Sequence, residues 1–266
     1  MKLPAAQPDW PKEWLHAYGF DCLEWGGSRE HPGYTLAYQR RFAITLELVR
    51  LAAQPPARVL DVAAAQGNFS LALAEAGYDV TWNDLRADLA GYTRLKYERG
   101  IIEYRPGNAF ELGFSQPFDV VLATEIIEHV AHPDAFLAQL AKLTRPGGHA
   151  VITTPNGGYF RNNLPKFSEC PDPTVFESRQ FGPDGADHIF LLHEDELAAL
   201  AQRAGWRVRE LRLHTSFFLN GHCRLEPLVR VLPAGAVRAV DNFLQHLPRA
   251  WRRRLDVGLA VWLQRE

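Results

Sequence analysis

The sequence has few cysteines, little net charge and no long apolar run, and each shortfall excludes something. Its three cysteines, Cys22, Cys170 and Cys223, are scattered and odd in number. They make neither a metal-binding pair nor an even disulfide set, which points to a reducing cytoplasm. No run of about 18 apolar residues occurs, so a spanning helix is not expected. The N-terminus, MKLPAAQPDWPKEW, carries proline and charge where a secretory leader needs an apolar stretch. Repeats and low-complexity tracts are also missing. The formal net charge is only −2, which argues against a surface built for nucleic acid.

That small net charge hides an asymmetry. From Arg207 to the end there are 11 Arg, no Lys and five acids, a local +6, so the first 206 residues carry 18 basic and 26 acidic groups, or −8. With 47% hydrophobic and 23% charged residues over 266 positions, the composition is that of a globular protein. The length alone fits one α/β domain with insertions as well as two small domains, and either can bury a core.

The middle of the chain alternates strand and helix. Arg58–Ala63 is a short apolar run after two prolines and predicts a buried strand. Apolar spacing from Phe69 to Ala76, stopped by Gly77, predicts a helix. Strands follow at Tyr78–Trp82, Ile101–Tyr104, Phe118–Ala123 and His149–Thr154, with helices at about Arg86–Arg99 and Ala135–Thr144 between them. A helix at Glu194–Ala204 and strands at Trp206–Leu213 and Gly258–Gln264 close the pattern, with His193 placed to cap that helix. This order predicts a Rossmann-like, doubly wound α/β sheet of seven strands, mostly parallel with an antiparallel last strand, and helices on both faces. Around it we expect an aromatic lid and capping helix (residues 1–53), the α/β domain itself (54–266), a substrate loop (155–187) and a C-terminal insertion (about 219–255).

Ligands of such sheets bind beyond the carboxyl ends of the strands. There the first strand ends in Asp61-Val-Ala-Ala-Ala-Gln-Gly67 and turns straight into a helix, and the second ends in Trp82-Asn83-Asp84-Leu85. The turn brings a ligand to the main chain and to the positive helix N-terminus. An acid at position 84 can accept both hydroxyl hydrogens of a ribose. These segments resemble the class I S-adenosylmethionine-dependent methyltransferases. Their Asp-x-Gly-x-Gly-x-Gly motif matches at Asp61 and Gly67, with Ala63 and Ala65 at the other glycines. Alanine costs little there if the backbone stays at negative φ. Gly107-Asn108-Ala109, Phe118-Asp-Val-Val and Arg145-Pro-Gly-Gly148 match further family elements. The resemblance implies a cofactor site of Asp61, Ala63, Ala65, Gly67, Asp84, Leu85, Asn108, Ala109 and Thr124, with Asn108 accepting from the adenine amino group.

After the fourth strand comes Thr124-Glu125-Ile-Ile-Glu128-His129-Val130. On a helical turn, Glu125, Glu128 and His129 share one face. Packed carboxylates repel unless a cation or proton lies between them. Together with Thr154-Pro-Asn156 and Asp187-His-Ile-Phe190, this segment resembles ubiquinone-pathway O-methyltransferases and metal-dependent small-RNA 2′-O-methyltransferases. The RNA enzymes imply a ligand set of Glu125, Glu128, His129 and His188 for a divalent metal (Mg, Mn, Zn or Fe). His129 and Glu128 are the expected catalytic residues, and the alternatives to a metal are a metal-free reaction with His129 as general base or purely structural acids.

For the acceptor, Asn156, Tyr159 and Arg161 in the 155–187 loop offer hydrogen bonds and stacking suited to a ring or sugar. The expected reaction is O-methylation of a small-molecule, saccharide or lipid-linked hydroxyl. A non-catalytic cofactor-binding subunit is the reading from another class, motivated by Ala63 and Ala65. Arg249-Ala-Trp-Arg-Arg-Arg254, beside Phe243, Leu244 and Leu247, fits either a solvated face or contact with an anionic membrane. The expected location is cytoplasmic, with contact to the inner face of the membrane where that segment is used.

Overall fold

Alternation along the strands decides how this chain layers. The structure, a computed structural model, describes residues 1–27, 31–180 and 188–266. Its strands are β1 (Arg58–Val62), β2 (Asp79–Asn83), β3 (Ile101–Tyr104), β4 (Phe118–Thr124), β5 (Thr144–Pro155), β6 (Trp206–Ser216) and β7 (Asp256–Arg265). The helices are α1 (Lys12–Glu24), α2 (Pro32–Ala52), α3 (Asn68–Glu75), α4 (Leu89–Lys96), α5 (Pro133–Leu143), α6 (Glu194–Arg203), α7 (Glu226–Val231), α8 (Ala234–Leu244) and α9 (Arg249–Leu255). The strands form one seven-stranded sheet in the order β3-β2-β1-β4-β5-β7-β6. β7 runs antiparallel to both β5 and β6, and the pairs from β3 to β5 are parallel. The predicted mixed sheet with its antiparallel last strand is the one that forms.

Successive side chains of a strand point to opposite faces. In β4, Val121 and Ala123 join one core with α5 and α6, while Val120 and Leu122 join the other with α2 and α3. Leu137, Leu140, Leu197 and Leu200 on the first face, and Leu48, Val49 and Leu73 on the second, are fully buried. Each contributes about 1.5–3 kcal/mol on burial. α2 therefore belongs to the packing of the sheet, and α1 is held by the aromatic set Trp10, Trp14, Tyr18 and Tyr92 against α4.

Boundaries moved where hydrogen bonding overrode local pattern. The Arg145–Gly148 turn lies inside β5, absorbed as an irregularity in the ladder between Phe118↔Thr144 and Val120↔His149. α4 is shorter than Arg86–Arg99, because Asp84 accepts the Arg86 N–H before the helix starts. Strand β1 pairs with β2 on one side and β4 on the other, so the chain's winding reverses beside it. The crevice beyond these carboxyl ends is where the fold places a ligand.

Candidate active site

The turn after β1 is built on left-handed backbone. Ala63, Ala65 and Gly67 have φ of 55°, 47° and 75°. The expectation of a cheap alanine at negative φ is therefore corrected: the turn needs the glycine conformation even where alanine supplies it. Gly67 starts α3, and a Cβ there would lie 2.4 Å from Thr93 Cγ2, so only glycine fits. The Ala65 N–H donates to Asp84 Oδ2 at 2.8 Å, tying this turn to the end of β2. Asp84 also takes the Arg86 N–H and guanidinium. Asn83, which sequence reasoning passed over, donates to the Arg105 and Gly107 carbonyls and sets the next loop. In that loop, Asn108 uses its amide oxygen to accept the Phe110 N–H and its amide nitrogen to reach Glu111. Ala109 is buried, Leu85 exposed, and Thr124 half-buried at the last rung of β4.

Asp61 is fully buried. Ser70 donates to its Oδ2 at 2.6 Å, and its Oδ1 has no hydrogen-bond partner among the described residues. Burial pushes its carboxyl up to about 7. A buried acceptor left open beside an αL turn and a helix N-terminus fits a ligand that brings its own N–H or O–H groups, as S-adenosylmethionine does. Beneath the turn lies a polar cluster that sequence reasoning did not find. Asp21 accepts from Lys96 Nζ and Tyr92 Oη, both at 2.7 Å, and from Asn68 Nδ2 at 2.9 Å. Glu24 accepts from Gln66 and Asn68, and burial raises its carboxyl to about 7. The available signal was two acids three apart, and so on one face of a helix, in a segment otherwise rich in aromatics.

At the end of β4 the ladder runs one residue further, with the Glu125 N–H donating to the Thr153 carbonyl at 2.8 Å. The chain then reverses at Glu125 (φ 52°) and makes a 3₁₀ turn over Ile127–His129. The predicted α-helical face is corrected accordingly: Glu125 is not stacked on Glu128 and His129. Its carboxylate pairs with Arg41 of α2 at 3.0 Å, a partner that sequence reasoning missed. His188 arrives by a different route. The Glu128 carbonyl accepts the Ile189 N–H at 2.7 Å, which pins the returning chain to the turn. The outcome is one close group, Glu128, His129 and His188, whose ligand atoms all lie within 4.8 Å of one another.

Glu128 is fully buried and takes the Thr154 hydroxyl on Oε2 at 3.0 Å, while Oε1 has no hydrogen-bond partner among the described residues. Burial and the nearby Glu125 charge push its carboxyl well above the usual range. The His129 and His188 rings meet edge to face at 4.9 Å, and burial followed by the His129 charge lowers His188. An open buried carboxylate oxygen beside two imidazoles is a donor set suited to a divalent ion of the zinc, manganese or iron type.

The loop residues sit further out. Asn156 is buried and spends its side chain on the Arg253 and Asp256 carbonyls and the Gly158 N–H, fastening the loop to the C-terminal insertion. Tyr159 Oη bonds His222 at 2.8 Å, and Arg161 is exposed. Asp187 lies outside the described residues. His193 stands at the N-cap of α6 as expected, with its N–H donating to Glu196.

The methyltransferase-domain family matches residues 36–211, from α2 into β6, and so includes the whole cofactor turn and the Glu/His group. The chain belongs to this family. Membership makes S-adenosylmethionine its cofactor. Among curated proteins, the methyltransferase is 31% identical to the ubiquinone biosynthesis O-methyltransferase of Aromatoleum aromaticum over 73% of this chain and 78% of that one. It is 38% identical to the protein of the same name from Xanthomonas euvesicatoria, over 38% of this chain and 44% of that one, so it spans less than half the length of that relative. Among solved structures, an S-adenosylmethionine-dependent methyltransferase from Mesorhizobium loti shares the fold with a TM-score of 0.56 at 15% identity, covering 84% of this chain and 96% of the other.

Proposed function

We propose that the methyltransferase methylates a hydroxyl oxygen of a small-molecule, saccharide or lipid-linked acceptor, assisted by a divalent metal at Glu128, His129 and His188. The observation that carries this reading is buried Glu128, with Oε1 open and its carboxylate in one close group with two imidazoles at the carboxyl edge of β4. The relatives' name, O-methyltransferase, supports the choice of oxygen as acceptor.

The cofactor brings a methyl group already activated by a sulfonium. Methyl transfer is an in-line displacement, so the protein's share is positioning and proton removal. Asp61, Asp84, the αL turn at residues 63–67 and the Asn108 loop hold the cofactor's polar groups. Without a metal, His129 would receive the proton of the acceptor hydroxyl and Glu128 would steady the resulting charge. With a metal, Glu128, His129 and His188 would hold a divalent ion, which would make the acceptor hydroxyl more acidic and let its proton pass to solvent. The alternative is transfer to N or O with His129 as base and no metal; it is favoured by Glu125, which is paired to Arg41 and absent from the close group.

The test is transfer of labelled methyl from S-adenosylmethionine across phenols, saccharides and isoprenoid-linked phenols, with His129→Ala alongside. The reading expects label on oxygen and a loss of at least about 100-fold for the variant, the usual scale of a lost general base. Label found only on nitrogen would overturn the oxygen assignment.

A further inference from the structure

The insertion between β6 and β7 is not used by the site chemistry, and its surface is unusual. Residues 219–255 contain seven Arg, no Lys and two acids. Both acids are engaged: Asp241 is buried against Arg40 and the Ser216 N–H, and Glu226 pairs with Arg230. The inner side of this segment is core, with Val229, Val237 and Leu219 buried against Leu36 of α2. The outer side is apolar as well. On α8, Ala236, Ala239, Val240 and Phe243 recur at helical spacing and are all exposed. Val231 on α7 is 77% exposed, Phe243 70% and Trp251 on α9 65%. Arg230 precedes Val231, Arg249 and Arg252 flank Trp251, and Arg249 and Arg253 share one carboxylate, Glu194. Beside α9 opens a cleft of about 480 Å³ walled by Arg40, Arg212, Arg249 and Arg252 against a single acid, Glu47.

We infer that the outer face of α7, α8 and α9 docks the methyltransferase on an anionic lipid bilayer. Aromatic and aliphatic side chains among arginines match the boundary between lipid headgroups and acyl chains. Nucleic acid would use the arginines but gives Val231, Val240 and Leu228 nothing to contact. The insertion is also fastened to the site's edge: Asn156 bonds the Arg253 and Asp256 carbonyls, and the Phe160 N–H donates to the Arg254 carbonyl. Docking by this face therefore holds the carboxyl edge of the sheet near the bilayer. Its bearing on the acceptor, favouring a lipid-linked hydroxyl, rests on the functional reading above.

The test is co-sedimentation of the full chain with vesicles of pure phosphatidylcholine and of phosphatidylcholine with one-third phosphatidylglycerol, at low and high salt, without cofactor or acceptor. Wild type is expected to partition at least about tenfold better to the anionic vesicles at low salt, and to lose that preference at high salt. The Phe243→Ala/Trp251→Ala and Arg238→Gln/Arg254→Gln pairs are each expected to weaken binding about tenfold or more. All four side chains are exposed, so wild-type thermal midpoints and S-adenosylmethionine affinity are expected of both pairs and show that they fold. A wild type that stays in the supernatant, binding that neither pair changes, or a stable dimer that hides this face overturns the inference. Vesicle binding with no label transferred to any hydroxyl counts against the functional reading alone.

Discussion

Ala63 and Ala65 sit in backbone that glycine enters freely, and left-handed alanine costs roughly 1–2 kcal/mol. Glycine gives part of that back through the entropy of the unfolded chain. Ala63→Gly and Ala65→Gly are therefore expected to stabilise the protein by about 0.5–1 kcal/mol each in urea unfolding; destabilisation by either would contradict the strained turn. Gly67→Ala goes the other way. It adds αL strain to a Cβ that meets Thr93, and about 3 kcal/mol of stability should be lost, with weaker cofactor binding in a calorimetric titration. The residues of this turn were legible, since a strand running into a helix through Asp61 and Gly67 leaves little choice. Their backbone sign was not, because φ at an alanine is set by ties to the end of β2, where Asp84 accepts the Ala65 N–H and the Asn83 carbonyl accepts the Ala64 N–H.

At the scale of elements, what could be read from periodicity formed nearly where expected, as β3 and α6 show. What depended on a distant partner could not be read. Glu125 seemed to belong on one helical face with Glu128, but the β4–β5 ladder extends through it and Arg41 of α2 takes its carboxylate. α1 reads as an aromatic lid, yet its polar side decides its place. Asp21 and Lys96 are both buried, so removing one partner strands the other charge. Asp21→Ala is expected to cost about 3–5 kcal/mol in chemical unfolding, more than any exposed acid of α1 such as Glu13. A cost near that of Glu13→Ala would show that α1 is held by its aromatic side alone.

For the molecule as a whole, the buried carboxyls set a pH dependence. Asp61 and Glu24 are raised to about 7 and Asp256 to about 6, all first through burial. A raised carboxyl binds its proton more tightly in the folded state, so its stabilisation is full below about pH 4 and is lost as pH rises through 6–7. His214 opposes this. Burial and then Arg41, Arg40 and Arg252 lower it to about 3, so its contribution is lost as pH falls below its ordinary 6.5. Glu128 adds to the carboxyl side, and His149, His188 and His222, all lowered first by burial, add to the His214 side, so the Asp61 contribution is read by difference: from pH 5 to pH 8 Asp61→Asn should lose less stability, or gain more, than wild type. Chemical unfolding across that range checks it; a slope unchanged in Asp61→Asn would refute the raised carboxyl. The sheet order and the basic insertion at the site's edge also belong to this scale. Composition showed the +6 segment, but only the fold places it beside the carboxyl ends of β5 and β6.

The central claim is that Glu128, His129 and His188 form one acceptor-activating centre. Titrating the chelated protein with Mn²⁺, with the free ion followed by electron paramagnetic resonance, addresses it most directly. The account predicts one ion per chain, binding abolished in Glu128→Ala and His188→Ala, and a loss of only about tenfold in Glu125→Gln, which acts from outside the ligand set. Saturable binding that survives in Glu128→Ala, or no binding at all by an enzyme whose methyl transfer is untouched by chelation, would contradict it.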